Sequence, residues 1–238
     1  MFGWYFDPVY FIYVGPAILL ALWAQWRVKS AYAEAAKYRP RSGMTGAATA
    51  QRILDVYGIR DVTIEPVKSF LGDHYDPKHR VLRLSPEVFH GQSLSALGIA
   101  AHEVGHAIQH ASSYAPLAIR SGLVPMAMVG GNLSMLFIMA GLIMSSMQIA
   151  LGQSLAIVGL GLFALTVVFQ LVNLPVEFNA SSRARDILVN QGFVTPQEDV
   201  IVGRVLNAAA MTYVAATITA IMTMLYYASI VFGGRRND

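Results

Sequence analysis

The chain of 238 residues is 55% hydrophobic and only 13% charged, against about 25% charged in soluble globular proteins, and this is a membrane-protein composition. It contains no cysteine, which excludes disulfides, thiolate metal sites and a cysteine nucleophile, so any metal must be held by His, Asp or Glu. The net charge is +3, and the basic residues gather beside an apolar segment instead of alternating with aromatics, which speaks against a nucleic-acid partner.

Residues 8 to 26 carry no charge between Asp7 and Arg27. At about 1.5 Å per residue they just cross a hydrocarbon core of about 30 Å, which predicts a first transmembrane helix. Acidic Asp7 precedes it, and Arg27, Lys29, Lys37, Arg39 and Arg41 follow, the pattern of a retained anchor and not of a cleaved signal peptide. By the positive-inside rule these five residues outweigh Arg235 and Arg236 at the other end and place the following loop in the cytoplasm.

Residues 27 to 118 read as a cytoplasmic catalytic region. Thr45 can cap a helix with Ala47, Ile53, Leu54 and Tyr57 on its apolar side and Gly58 as its stop. A short strand pair follows, one strand in "DVTIEPV" and one at Val81, Leu82, Arg83 and Leu84 after an Asp-Pro turn signal. Ser93 or Ser95 then caps the helix "ALGIAAHEVGHAIQH", with Ile99, Val104 and Ile108 facing the core.

From 121 to 176 no Asp, Glu, Lys, Arg or His occurs. That length suits a transmembrane hairpin, two helices turning near residues 145 to 154, with Gly130, Gly131, Gly141, Gly159 and Gly161 suited to close helix approach. Residues 177 to 205 return to the cytoplasm. There Asn173 is read as a cap with Pro175 in the first turn, Gly192 ends that helix, and "TPQE" at 195 to 198 is a capping box. Residues 207 to 232 form a fourth span, with Tyr226 and Tyr227 as interfacial aromatics. The fold class expected is therefore a mainly α membrane protein of about four transmembrane helices, with a helical catalytic domain containing a short β-strand pair.

The chemistry lies in His102, Glu103 and His106. Residues four apart share a helix face, so both imidazoles can reach one metal while Glu103 is offset toward a water beside it. This is the H-E-x-x-H pattern of zinc hydrolases, with the two histidines as metal ligands and Glu103 as general base. His110 lies about 12 Å along a straight helix from His102 and cannot reach the same ion, whose bonds are near 2.1 Å. The third ligand is to be sought among His74, His79, His90, Glu177 and Asp186. Glu177 is favoured as the first ionisable residue after the uncharged hairpin, which returns it to the side carrying the histidines.

The blocks "DHYDPKHRVLRLSPEVFHGQS", "SALGIAAHEVGHAIQHA" and "LPVEFNASSRA" resemble the YugP-type neutral zinc metallopeptidases of bacterial membranes, in the same order and over most of the chain. That family is similar in layout to the HtpX heat-shock proteases and the CAAX prenyl proteases. The resemblance implies a zincin-like catalytic domain, Zn2+ as cofactor, Glu103 as base and Glu177 as third ligand. Relatives carry an aspartate four residues beyond that ligand, where this chain has Ser181, which makes Asn179 and Asp186 candidates for holding the histidines. It implies too that Val81, Leu82, Arg83 and Leu84 line the cleft and pair with substrate backbone. His74, Tyr75, His90, Tyr114 and Arg183 are candidates for stabilising the transition state. The expected partners are a membrane-associated polypeptide substrate and the lipid bilayer. The rival expectation is a non-catalytic membrane protein with a structural zinc site or a role in metal handling; a transporter should place ionisable residues within its spans.

Overall fold

The computed structural model describes residues 8–68 and 72–233; Asp7, Arg235 and Arg236 of the charge comparison lie outside the described residues. The elements run α1 (Pro8–Ala35), α2 (Gly46–Val56), β1 (Thr63–Pro66), β2 (His74–Asp76), β3 (Val81–Leu84), α3 (Pro86–Phe89), α4 (Leu94–Ala111), α5 (Ala115–Ser146), α6 (Leu151–Asn190) and α7 (Pro196–Gly233). Among the described residues, α1, α5, α6 and α7 are each long and apolar enough to cross a bilayer. The chain divides into two compact units.

The first unit contains residues up to 23, 119–173 and those from 213. Its α5 and α6 approach at glycines: a Cβ on Gly141 would lie 2.4 Å from the Ala156 nitrogen, and one on Gly159 would lie 2.6 Å from the Ile138 nitrogen. Lipid gives no hydrophobic drive to helix association, so such close van der Waals contact holds helices together. Gly161, by contrast, meets nothing within 4 Å and is not part of this seam. Tyr226 is buried with its ring edge-on to Tyr10 at 5.0 Å, so it packs inside the unit where the sequence suggests an interfacial position.

The second unit contains Ala24–Ala118 and Leu174–Thr212. Its core joins Ile53 and Leu54 of α2, Leu82 and Leu84 of β3, Leu97 and Val104 of α4, Leu188 of α6 and Val202 of α7. The helix starts follow the local chemistry. Thr45 accepts from the Ala48 N–H at 3.1 Å and Ser93 from the Ala96 N–H at 3.2 Å. Thr195 and Glu198 exchange the two bonds of a capping box, at 2.7 and 3.2 Å. Gly58 and Gly192 adopt φ of +68° and +70°, the left-handed geometry that ends helices at little cost for glycine. Tyr57, expected on the apolar side of α2, is exposed.

Two sequence expectations change here. Asn173 does not cap a new helix, because α6 continues unbroken from Leu151 to Asn190 with Pro175 inside it. A proline within a spanning helix loses one backbone hydrogen bond, which its surroundings can compensate. The sheet has three strands in the order β1-β3-β2, where a pair was expected. β1 is parallel to β3, and β2 folds back antiparallel on it, with Tyr75 opposite Leu82.

Within this unit α4 and α6 also pack at a glycine. A Cβ on Gly105 would lie 2.8 Å from the carbonyl oxygen of Ala180. Gly105→Ala should therefore force the two helices apart and destabilise the unit by about 1–3 kcal/mol, the usual cost of overpacking, read as a lowered midpoint of thermal unfolding in detergent.

Candidate metal centre and active site

α4 presents His102 and His106 one turn apart, their rings 4.8 Å between centroids and nearly perpendicular. α6 brings Glu177 against both. Its Oε2 lies 3.2 Å from His102 Nε2 and 3.6 Å from His106 Nε2. Tetrahedral ligands at zinc–nitrogen and zinc–oxygen distances would stand about 3.4 Å apart, so the three donor atoms have the spacing of ligands around one ion. All lie within 4.8 Å of one another. Glu177 is 2% exposed, and it stands deep inside α6, so the favourable dipole of a helix start cannot account for it.

The far side of each imidazole is also held. His102 Nδ1 meets Ser181 Oγ at 3.1 Å. His106 Nδ1 meets Gln109 Oε1 at 3.0 Å. The amide NH2 of Gln109 donates to the Val176 carbonyl at 2.9 Å and to Asn179 Oδ1 at 3.0 Å, and Asn179 Oδ1 accepts from Arg183 Nε at 2.7 Å. These bonds fix the direction of the chain. With both amide hydrogens engaged, Gln109 offers His106 only an acceptor, so Nδ1 carries the proton and Nε2 turns its lone pair toward Glu177 and His102. Such outer hydrogen bonds orient metal-binding histidines and raise their basicity. In the metal-free site burial alone would push the His106 imidazole down, but its bond to Glu177 and the charges of Glu103 and Glu177 hold it above its ordinary value.

Glu103 is held from the other direction. It is buried, and its Oε2 accepts the Tyr75 backbone N–H of β2 at 3.1 Å. The Tyr75 hydroxyl in turn meets His110 Nδ1 at 2.8 Å, which engages His110 away from the donor cluster.

The remaining candidates separate. Asn179 and Arg183 enter the chain behind His106, the former through Gln109 and the latter through Asn179. Asp186 is exposed and acts electrostatically on Arg185, while Ser181 takes the position behind His102. His74 and His79 are tied to the Gly72 carbonyl and to Asp76, and the His90 ring packs on Phe89. The Tyr114 backbone N–H closes the end of α4 on the Gln109 carbonyl. The substrate strand needs correction. Val81, Leu82, Arg83 and Leu84 form the central strand, paired with β1 on one side and β2 on the other, so no edge of β3 remains open to another chain. The residues missed in the sequence are Gln109 and Ser181. The signal of Gln109 is positional, a polar side chain three residues after His106 and so on the same helix face, and that of Ser181 is its place four residues after Glu177.

An H-E-x-x-H helix whose histidines meet a glutamate from a second helix, with four bilayer-length helices among the described residues, is the arrangement of a membrane metallopeptidase. The model of the family described as "Putative neutral zinc metallopeptidase" matches residues 10–232, and the chain belongs to that family. It is 45% identical over 228 residues to "Putative membrane protease YugP" of Bacillus subtilis (strain 168), covering 94% of this chain and 98% of that protein. No solved structure matches the chain.

Gln109→Ala should weaken zinc binding about 10–100-fold, the range for lost outer hydrogen bonds, measured by competition with a chromophoric chelator. Affinity should also fall as pH is lowered through the raised His106 pKa, since the protonated imidazole has no lone pair to offer.

Proposed function

We propose that the chain is an endopeptidase in which His102, His106 and Glu177 hold the zinc ion and Glu103 is the general base. When bound, zinc supplies a Lewis acid that lowers the pKa of its water to about 7 and polarises the scissile carbonyl. Glu103 takes the proton of the attacking water and delivers it to the leaving amine as the C–N bond breaks. The observation that carries this reading is the division of labour on α4. Two imidazoles converge with Glu177, whereas Glu103 is anchored separately on the Tyr75 N–H.

The substrates are membrane-associated or unfolded polypeptides, a reading supported by Glu177 lying on the same continuous helix as the third span. The five basic residues after the first span support a cytoplasmic catalytic unit in a multi-pass protein of a bacterial membrane. A structural zinc clip is the weaker reading: such sites are closed by four protein ligands, and the cluster among the described residues offers three. Metal transport is disfavoured by the hairpin, which has no ionisable side chain from 121 to 176.

Glu103→Gln should keep full zinc content and lose casein cleavage by at least about 100-fold, the lower end of what a general base contributes. Equal cleavage by the variant and the wild type would remove Glu103 from the reaction. Glu177→Ala should lose zinc as well as activity, read by metal analysis of the purified protein.

A further inference from the structure

Tyr75 touches α4 at two places. Its backbone N–H donates to Glu103 Oε2 at 3.1 Å, and its hydroxyl meets His110 Nδ1 at 2.8 Å. The Tyr75 and His110 rings stand 5.9 Å apart between centroids, tilted by 53°. Glu103 and His110 are seven residues apart, so they share one face of α4 and stand about 10.5 Å apart along its axis. Tyr75 therefore lies along that face, its main chain at the level of Glu103 and its phenol tip about two turns farther on. Because His110 engages the hydroxyl so far from Glu103, the phenol leaves the set of transition-state candidates.

The other attachments of β2 do not fix this alignment. The strand pairs with β3, and Asp73 just before it accepts the Ser85 N–H at 2.7 Å and the Ser85 hydroxyl at 3.0 Å. Both tie β2 to the sheet and not to α4. Among the described residues the hydrogen bonds from β2 to α4 are the two made by Tyr75. The ring between them is rigid, so the strand cannot slide or tilt along α4 and keep both. Burial raises the Tyr75 phenol above its ordinary value, and the hydroxyl therefore keeps a proton to donate.

We propose that Tyr75 and His110 are positioning residues for Glu103: the bond between them latches β2 along α4 and so fixes the N–H that holds the Glu103 carboxylate. The inference rests on Glu103 acting as the general base, whose displacement by about 1 Å can cost on the order of 100-fold in rate. The test combines steady-state casein cleavage, zinc content and amide hydrogen exchange of the full chain in detergent. Tyr75→Phe keeps the ring and removes the hydroxyl. It should keep zinc and KM and lose kcat about 10–100-fold. In the metal-free chain its β2 amides should exchange about tenfold faster, the net contribution of one hydrogen bond. His110→Ala should match it, and His110→Asn, whose side-chain amide can meet the phenol, should recover most of the lost kcat. The double variant Tyr75→Phe, His110→Ala should be no worse than either single one, as for two halves of one contact. A wild-type kcat in Tyr75→Phe overturns the proposal, as do additive losses in the double variant. Zinc lost in step with kcat also overturns it, by making the pair a general structural contact. Glu103→Gln separates the two readings. Its full activity would remove the base and the latch together, whereas its inactivity beside a fully active Tyr75→Phe would remove the latch alone. If His110→Ala does not fold, Tyr75→Phe still decides.

Discussion

The hydrogen bond between His106 and Gln109 sets more of this site than any contact of the donors themselves. Gln109 is fully buried, so each of its amide atoms must find a partner within the protein, and a broken bond would strand a buried polar group at about 1–3 kcal/mol. Its two hydrogens go to the Val176 carbonyl and to Asn179. Its oxygen is thereby committed to the His106 N–H. One side chain thus chooses the tautomer of His106 and also ties α4 to the backbone of α6 next to Glu177. The orientation of one donor and the position of another are consequences of the same amide.

That tie requires close helices. Ala180, whose carbonyl limits the space at Gly105, is one turn beyond Val176. A side chain at position 105 would move α6 outward at the level where Gln109 and Glu177 must reach across. The glycine between the histidines is therefore part of the site's geometry although it offers no chemistry. Farther along α6, Arg185 binds Asp199 through Nε and Nη2, at 3.1 and 2.6 Å, and this fixes the start of α7 on the helix that carries Glu177.

What was legible in the sequence was what depends on spacing within one element. The i, i+4 spacing puts His102 and His106 on one face, and Ser93, Thr45 and the Thr195 box cap helices through bonds spanning three residues. Glu177 was legible for another reason, the contrast with the long uncharged run before it. What failed depended on distant partners. Asn173 and Pro175 look like a helix start when read locally, but a spanning segment must keep its backbone bonds and the helix continues. β3 has the apolar pattern of a cleft strand, yet its central place follows from β1 pairing across a crossover. β2 has only three residues, too few to show alternation. Gln109 could not be assigned a role because its partners lie 67 and 70 residues away.

The donor cluster and Glu103 are supported by different parts of the unit. Helix α6 and Gln109 orient the histidines, whereas a backbone N–H of β2 holds Glu103. Because that N–H belongs to the main chain, no substitution of the Tyr75 side chain removes it except proline, and the position of Glu103 follows the position of the strand. β2 is an edge strand of three residues, held by β3 on one side and by the Tyr75 contacts with α4 on the other, and β3 is anchored by Leu82 and Leu84, buried in the core with residues of α2 and α4. The small sheet therefore connects the hydrophobic core to the carboxylate. A change in the sheet bears on Glu103 through the Tyr75 N–H, whereas the donor cluster is held by α6 and Gln109, so the supports of Glu103 and of the donors are physically separate in this fold.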